Sequence, residues 1–417
     1  MRLRRGSGCV IFEVRLTKPP APWRPGPYPV RLPRRAEAAD RELRLTYFES
    51  RLQEVLYGTD GAPVRWHRQF ATPVPLTGAC VRGVEILRMP LVRDGLGLAV
   101  LHVDLTDPGS PGASPVPALE RLSRLATAST PSGTGRDALQ ALLPAGTQLV
   151  ESSTRARTLA HVTFEDRPAP VMSAPYTGWS PVDQWLWLLA SACSEERFAP
   201  DPDEPAVRSG TVVFSADWRA LVLREGAAFV GMTPDREDEG FHALAEAHVH
   251  SIYLDAVLIG VMQLYALNEV ANAVASTPAG RLDADALASL EHRLMNVRRR
   301  LWFSHVTVRG KGNELLRQFQ DQHALPALLD NIISELSDAA RLVEAVTNRG
   351  VNAALGLLTI LGLPIGIAFS SAAVWGEPHP RLFLISALAA VAGAVVVVAV
   401  VRPARQMLRA LLRRGPR

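Results

Sequence analysis

Two long uncharged runs near the C-terminal end constrain this chain more than any other feature. No charged residue occurs from Gly350 to Gly376, which is 27 positions, or from Leu382 to Val401, which is 20 positions. A bilayer core about 30 Å thick needs about 20 apolar residues in a helix. We therefore expect two transmembrane helices at about 351–375 and 382–401, joined by a tight outer loop. A helix buried in a large soluble protein is the alternative explanation for either run alone.

The flanking charges predict an orientation for these helices. Arg341 and Arg349 precede the first run, and six arginines lie in the tail 402–417. Excess arginine marks the cytoplasmic side of a membrane, so we expect a multi-pass protein of the cell membrane with both termini in the cytoplasm. The apolar stretch Cys9–Phe12 stops at Glu13 and is too short for a secretory signal.

Residues 1–235 are predicted to form an α/β cytoplasmic domain. A helix is expected to begin after Ser180, because Pro181 suits the first helical position and Asp183 the first turn. Short runs rich in β-branched residues and bounded by Gly and Pro predict strands. They lie at 10–14, 84–89, 98–105, 160–165, 211–215, 220–223 and 227–230.

Residues 236–350 are predicted to form a helical stalk region. The stretch from Phe241 to Ala275 is apolar but carries several polar side chains, so we interpret it as a buried helix. Further along, apolar residues alternate steps of three and four, which is typical of a coiled-coil seam. The seam consists of Leu329, Ile332, Leu336, Ala339, Val343, Val346, Gly350 and Ala353. One helix is therefore expected to run from the stalk into the first uncharged run and to pack on other helices or on identical subunits.

Charge and cysteine usage exclude several classes of protein. The formal net charge is +4 and the arginines are scattered, so there is no basic stripe of the kind that binds nucleic acid. Cys9, Cys80 and Cys193 show no paired spacing, which argues against a disulfide framework or a zinc motif. We expect these cysteines to be small buried residues in a reducing compartment.

One face of the first uncharged run carries polar residues. Counted at 100° per residue, five residues lie close to one direction: Asn352, Thr359, Gly366, Ser370 and Glu377. Such a stripe could line a cation pore, and it could equally mediate close packing between membrane helices. We retain these five residues as candidate pore-lining positions.

Other polar groups are weaker candidates for chemistry. His242, Glu246 and His250 are spaced to share a helix face and could chelate a metal, but no further ligand is evident nearby. Acidic groups near 201–204 and 235–239 could bind a divalent cation, although solvated loops explain them as well. No motif for nucleophilic catalysis, phosphate binding or dinucleotide binding is found. The sequence therefore predicts no catalytic residue, no cofactor and no dedicated metal site.

The predicted architecture resembles the CorA-type magnesium channel superfamily. The resemblance lies in the order of an α/β domain, long helices, a stalk helix continuous with the first of two C-terminal spans, and a short outer loop. Pro364 corresponds to a proline of the family's first span, but the place of its Gly-Met-Asn signature reads Trp375-Gly376-Glu377-Pro378. The resemblance implies an α+β cytoplasmic region followed by a two-helix transmembrane hairpin. It also implies a homo-oligomer, a pentamer if it is a channel, that conducts a divalent cation.

A second resemblance is to CATRA proteins, the caspase- and TPR-repeat-associated components of bacterial conflict systems. It rests on the stretch 245–272, AEAHVHSIYLDAVLIGVMQLYALNEVAN, ahead of the two uncharged runs. Two functions follow as alternatives: a degenerate cation channel gated by its cytoplasmic domain, or a membrane-anchored effector that binds protein partners.

Overall fold

The structure is a computed structural model that describes residues 2–374, with internal gaps, together with 385, 388, 389 and 392. The gaps fall at 21, 36–38, 60, 93–94, 107–113, 126, 128–133, 151–154, 177, 199, 202–203, 278–283, 304 and 309.

A ten-stranded sheet organises the N-terminal part of the chain. Its order is β10-β11-β12-β9-β1-β7-β6-β5-β2, with β8 paired to one end of β1, and a separate hairpin joins β3 to β4. Every pairing in the large sheet is antiparallel except that of β12 with β9. The strands are β1 (Leu3–Leu16), β2 (Arg24–Pro25), β3 (Gly58–Thr59), β4 (Ala62–Pro63), β5 (Arg65–Leu76), β6 (Ala79–Arg88), β7 (Leu96–Asp104), β8 (Thr147–Leu149), β9 (Arg157–Phe164), β10 (Thr211–Val213), β11 (Trp218–Val222) and β12 (Gly226–Gly231).

The described residues also form α-helices, some of which pack on this sheet. They are α1 (Ala39–Tyr47), α2 (Ser50–Tyr57), α3 (Val116–Arg124), α4 (Thr134–Leu142), α5 (Pro181–Ser191), α6 (Pro205–Ser209), α7 (Phe241–His248), α8 (Leu254–Ser276), α9 (Ala284–Arg300), α10 (Gly312–Gln322) and α11 (Leu325–Val374). A 3-10 turn lies at Ala174–Tyr176, and a π-helical turn at Val249–Tyr253 joins α7 to α8.

Alternation along β1 separates the two faces. Val10, Phe12 and Val14 belong to a large apolar core that also contains residues of α3 and α5. Because successive strand residues point to opposite faces, Ser7 and Cys9 face the other side, where the π-helical turn packs on β1. The central strand is therefore buried on both faces, but only one of them is purely apolar.

Several predictions about this region are confirmed. The seven predicted strand segments fall within or overlap β1, β6, β7, β9, β10, β11 and β12. Ser180 caps α5, since its side chain accepts a hydrogen bond from the backbone N–H of Asp183, and Pro181 is the first helical residue. The stretch beginning at Phe241 is a buried helix as expected.

The predicted C-terminal two-helix transmembrane hairpin needs correction. The protein is a mixed α/β structure built on a large sheet, and in the part of the chain that is described only Phe241–Ser276 is long and apolar enough to cross a membrane. Of its most apolar window, 89% is buried inside the protein, which identifies a core helix. The physical reason is that a fully buried helix and a membrane span need similar length and apolarity.

The expectation of a multi-pass membrane protein is overturned with the hairpin. Of the two uncharged runs, 351–374 forms the C-terminal part of α11, which is one helix of 50 residues. The run 382–401 lies outside the described residues except at 385, 388, 389 and 392. The prediction that one helix continues unbroken from the stalk through residue 350 is confirmed by α11.

The chain divides into two compact units. The first comprises Met1–Ser276 and Ser289–Ile333 and contains the whole sheet, and the second comprises Thr277–Ala288 and Ser334–Arg417. The boundaries predicted at 235 and 350 remain predictions. The candidate metal centre and the second cleft described below lie in the first unit.

Candidate metal centre

A cysteine and a histidine face each other across two neighbouring strands. Cys9 in β1 is the register partner of His102 in β7, and neither side chain is accessible to solvent. Both strands are otherwise rich in valine, leucine and isoleucine, as a central strand requires. The pair is placed by the antiparallel register rather than by local sequence.

His250 completes a cluster of three side chains above the sheet. It lies in the π-helical turn, a rare conformation that is often found at functional sites. Its Nδ1 lies 3.3 Å from Cys9 Sγ and 3.0 Å from His102 Nδ1, while Cys9 Sγ and His102 Nδ1 are 3.6 Å apart. Each residue thus directs one potential ligand atom to a common point.

These separations fit a tetrahedral metal ion. Zinc bonds of about 2.0–2.1 Å to nitrogen and about 2.3 Å to sulfur place neighbouring ligand atoms about 3.3–3.6 Å apart. The three observed distances, 3.0, 3.3 and 3.6 Å, lie within about 0.3 Å of that range. A small ion could therefore be bound without rearranging the backbone.

Burial keeps both histidines in the form that binds metals. Burial lowers the pKa of His102, and the adjacent Glu85 only partly offsets this effect. Burial also lowers the pKa of His250 well below its ordinary value, with His102 adding to the shift. Burial raises the pKa of Cys9 well above its ordinary value, so its proton would be released on metal binding.

Glu85 orients His102 from behind. Its Oε1 lies 2.5 Å from His102 Nε2, which leaves Nδ1 of the neutral ring with a free electron pair directed at the cluster. Burial alone would raise the pKa of Glu85. Arg65 and His102 lower it by more than burial raises it, so the net pKa lies well below the ordinary value. The carboxylate is therefore ionised and fixes the tautomer of the ligand.

A chain of buried charges extends from Glu85 away from the cluster. Arg65 donates to Glu85 at 2.5 Å and to Asp255 at 2.6 Å, and Asp255 accepts from Arg44 at 2.6 Å and from Tyr57 at 2.8 Å. We call this the buried ion chain; it consists of Asp40, Arg44, Asp255, Arg65 and Glu85. All five are less than 9% exposed, so each charge is stabilised mainly by its neighbours in the chain rather than by solvent.

Tyr28 closes the cluster on one side and a cleft opens on another. Its ring stacks on His102, with centroids 4.2 Å apart and planes inclined by 18°. Gly83 allows this contact, because a Cβ there would lie 2.3 Å from the Tyr28 ring. A cleft of about 820 Å³ is lined by both His102 and His250, and also by Arg5, Arg82 and Glu246 among others.

The helical metal constellation expected from sequence is split by the structure. Only His250 reaches the cluster. Glu246 instead pairs with Arg5 at 3.3 Å, and His242 lies 3.2 Å from the Thr233 hydroxyl.

The candidate pore-lining residues lie elsewhere. Asn352, Thr359, Gly366 and Ser370 are exposed residues of α11, and Glu377 lies outside the described residues. Thr359 donates its hydroxyl to the carbonyl of Leu355 at 2.8 Å. A role for these residues in a pore remains a prediction.

Sequence reasoning did not find the cluster because its members come from three distant elements. Cys9, His102 and His250 are separated by 93 and 148 positions, and no spacing rule connects them. The one available signal was chemical: His102 and Glu85 each interrupt a predicted buried strand. A polar residue at such a position requires a buried partner.

Comparisons with known proteins add no relative. No protein-family model matches the chain, and no curated protein matches it significantly. The resemblances to CorA-type channels and to CATRA proteins therefore remain predictions, as do the expected homo-oligomer and protein partners.

Proposed function

We propose that this chain is a zinc-binding protein whose metal is held by Cys9, His102 and His250. The observation that carries the proposal is the convergence of one sulfur and two nitrogen atoms at separations of 3.0 to 3.6 Å in a buried site. Cysteine and neutral histidine are the ligands that zinc prefers.

The local charges support a divalent ion. The buried ion chain contains three carboxylates and two guanidinium groups, so it has one excess negative charge. A divalent metal bound to the Cys9 thiolate contributes one net positive charge beside it. Metal binding would therefore neutralise a site that otherwise holds an unbalanced charge away from water.

The outer shell supports the same assignment. A metal-bound histidine usually donates its second N–H to a carboxylate, which fixes the ring and makes the ligand more basic. Glu85 stands in this position behind His102, and Arg65 in turn holds Glu85.

Three protein ligands leave a fourth position for water or substrate. Structural zinc sites generally have four protein ligands, whereas catalytic sites keep one position open. The cleft lined by His102 and His250 gives that position a route to solvent. We therefore infer a metal-activated water as the reactive species and hydrolysis as the reaction class.

A metal-free nucleophilic cysteine is the second candidate function. Glu85, His102 and Cys9 occur in the order of a carboxylate–histidine–thiol triad, with contacts of 2.5 and 3.6 Å. The thiol is fully buried and its pKa is raised by burial, which disfavours the reactive thiolate. The second histidine, 3.3 Å from the sulfur, has no role in such a triad.

Metal content distinguishes the two functions. We expect the purified protein to contain about one zinc ion per chain, as measured by inductively coupled plasma mass spectrometry. The variants Cys9→Ser, His102→Ala and His250→Ala should each lose this zinc. Cys80→Ser and His292→Ala are matched controls, because both residues lie outside the cluster. After zinc is exchanged for cobalt, the unmodified protein and Cys80→Ser should show a thiolate-to-metal absorption band. Cys9→Ser should lack this band.

The opposite result would favour the cysteine nucleophile. If folded protein reconstituted with zinc retains almost no metal, and iodoacetamide modifies Cys9 faster than Cys80, the metal proposal fails. Circular dichroism of each variant shows whether a lost metal reflects lost ligands or lost fold.

A further inference from the structure

We propose that a second cleft, which shares no lining residue with the cleft at the metal cluster, binds a phosphate-bearing compound with a planar ring, the chemical class of a mononucleotide. The cleft has a volume of about 1000 Å³ and is lined by residues of β9, α5, the β11–β12 turn and the end of α10. This proposal does not depend on the metal centre.

Three arginines in this cleft have no carboxylate partner among the residues that the structure describes. Arg155 donates to Cys193 Sγ at 2.9 Å, Arg157 contacts the Tyr265 hydroxyl at 3.5 Å, and Arg224 donates to the carbonyl of Gln322 at 2.8 Å.

Acidic residues in the same cleft do not pair directly with these arginines. Glu204, Glu225 and Asp321 also line it, but within the described residues none lies within 4.0 Å of the three guanidinium groups. Arginines usually pair with carboxylates or phosphates. The three guanidinium groups therefore keep N–H donors that no carboxylate uses, and this favours an anionic ligand.

The cleft also contains a histidine, His323, whose pKa the nearby arginines help to lower. Burial lowers the pKa of His323 to about 4, and the charges of Arg157 and Arg224 add to the shift. The ring is therefore neutral at physiological pH. Its Nε2 has no hydrogen-bond partner among the described residues, and neither has the hydroxyl of Ser191, which is 8% exposed. Both atoms line the cleft and could bond to phosphate oxygens.

Two aromatic rings favour a planar group on the ligand. Phe198 is 62% exposed and lies over the buried Trp187, with planes inclined by 9° and centroids 6.4 Å apart. An exposed aromatic ring offers a face on which a planar group can stack. Nucleic-acid bases stack on such rings with little dependence on base identity.

Isothermal titration with AMP, inorganic phosphate and adenosine tests this proposal. We expect AMP to bind at least about ten times more tightly than either phosphate or adenosine, because only AMP satisfies both the arginines and the ring. Arg155→Gln should weaken AMP and phosphate binding by about 10- to 100-fold. Phe198→Ala should weaken AMP binding by about tenfold and leave phosphate binding unchanged.

Arg299→Gln is the matched control, since this arginine is exposed on α9 outside the cleft. The proposal is overturned if AMP does not bind at millimolar concentration, or if Arg155→Gln and Arg299→Gln bind AMP equally well. Phe198 is largely exposed, so its variant should fold normally and give a second, independent readout.

Discussion

The two faces of the central sheet use the same strands in opposite ways. One face packs Val10, Phe12 and Val14 in a large hydrophobic cluster with residues of α3 and α5. The other face carries Cys9 and His102 and, beside them, the buried ion chain. Apolar packing tolerates substitutions that conserve volume, whereas buried charges are costly unless every partner is present. The apolar face thus supplies stability, whereas the polar face carries the residues of the proposed metal site.

Breaking the buried ion chain should have the largest effect on stability. Asp255→Asn removes the charge between Arg44 and Arg65, which contact Asp255 at 2.6 Å each. We expect a loss of about 3–5 kcal/mol in the free energy of unfolding, measured by urea denaturation. Asp238→Asn is the control, because that side chain is 87% exposed and should change stability by less than about 1 kcal/mol. Equal effects of the two substitutions would contradict this account of the polar face.

A cavity on the apolar face should reduce stability almost as much and leave the metal alone. Leu119 of α3 is fully buried in the apolar core. Leu119→Ala should cost about 3–4 kcal/mol through lost burial and the cavity that remains. Its zinc content should equal that of the unmodified protein. If zinc content falls with this substitution, the two faces are not independent.

Stability should also depend on pH through a histidine on the polar face. Burial lowers the pKa of His161 to about 4, from an ordinary value of 6.5, and both ring nitrogens lack partners among the described residues. Below pH 6.5 His161 is protonated in the unfolded chain but stays neutral in the folded chain. The free energy of unfolding therefore falls as the pH is lowered from 6.5 to about 4.

His161→Leu isolates this contribution. Between pH 7 and pH 4 the unmodified protein should lose about 3 kcal/mol more than the variant, as measured by urea denaturation at each pH. Parallel losses in the two proteins would show that His161 is not held neutral.

The smallest effect on metal binding should come from the residue behind the metal ligand. Glu85→Gln keeps the shape of the side chain but removes the charge that orients His102 and pairs with Arg65, so urea denaturation of this variant measures the loss of stability separately. Zinc affinity, measured by competition with a chelator, should fall by about 10- to 100-fold. Glu246→Gln changes a carboxylate in the same cleft that touches no proposed ligand, and it should leave the affinity unchanged. A similar loss of zinc affinity in both variants would show that the effect comes from the net charge near the cleft and not from the contact between Glu85 and His102.

Local sequence patterns predicted local structure well and solvent environment poorly. The cap at Ser180 and the strand at Val10–Val14 are set by neighbouring residues, and both are present. The strand β5 was not predicted because Arg65, His67 and Gln69 interrupt its apolar pattern. The side chains of Arg65 and His67 find their partners only in the folded protein. Hydropathy predicted membrane helices because it measures apolarity alone and cannot tell protein from lipid.

The π-helical turn has a consequence for how this site could be lost. In an α-helix, residues five apart differ by about 140° around the axis, so His250 and Asp255 would face different ways. The i→i+5 pattern of the π turn brings such residues nearly into line. One helical stretch therefore supplies both a proposed ligand and the centre of the ion chain. Deleting a single residue between 249 and 253 would leave a well-formed apolar helix. That helix could place only one of the two side chains, His250 or Asp255, against the sheet. The proposed metal site thus depends on one extra residue that no measure of hydrophobicity or helix propensity would register.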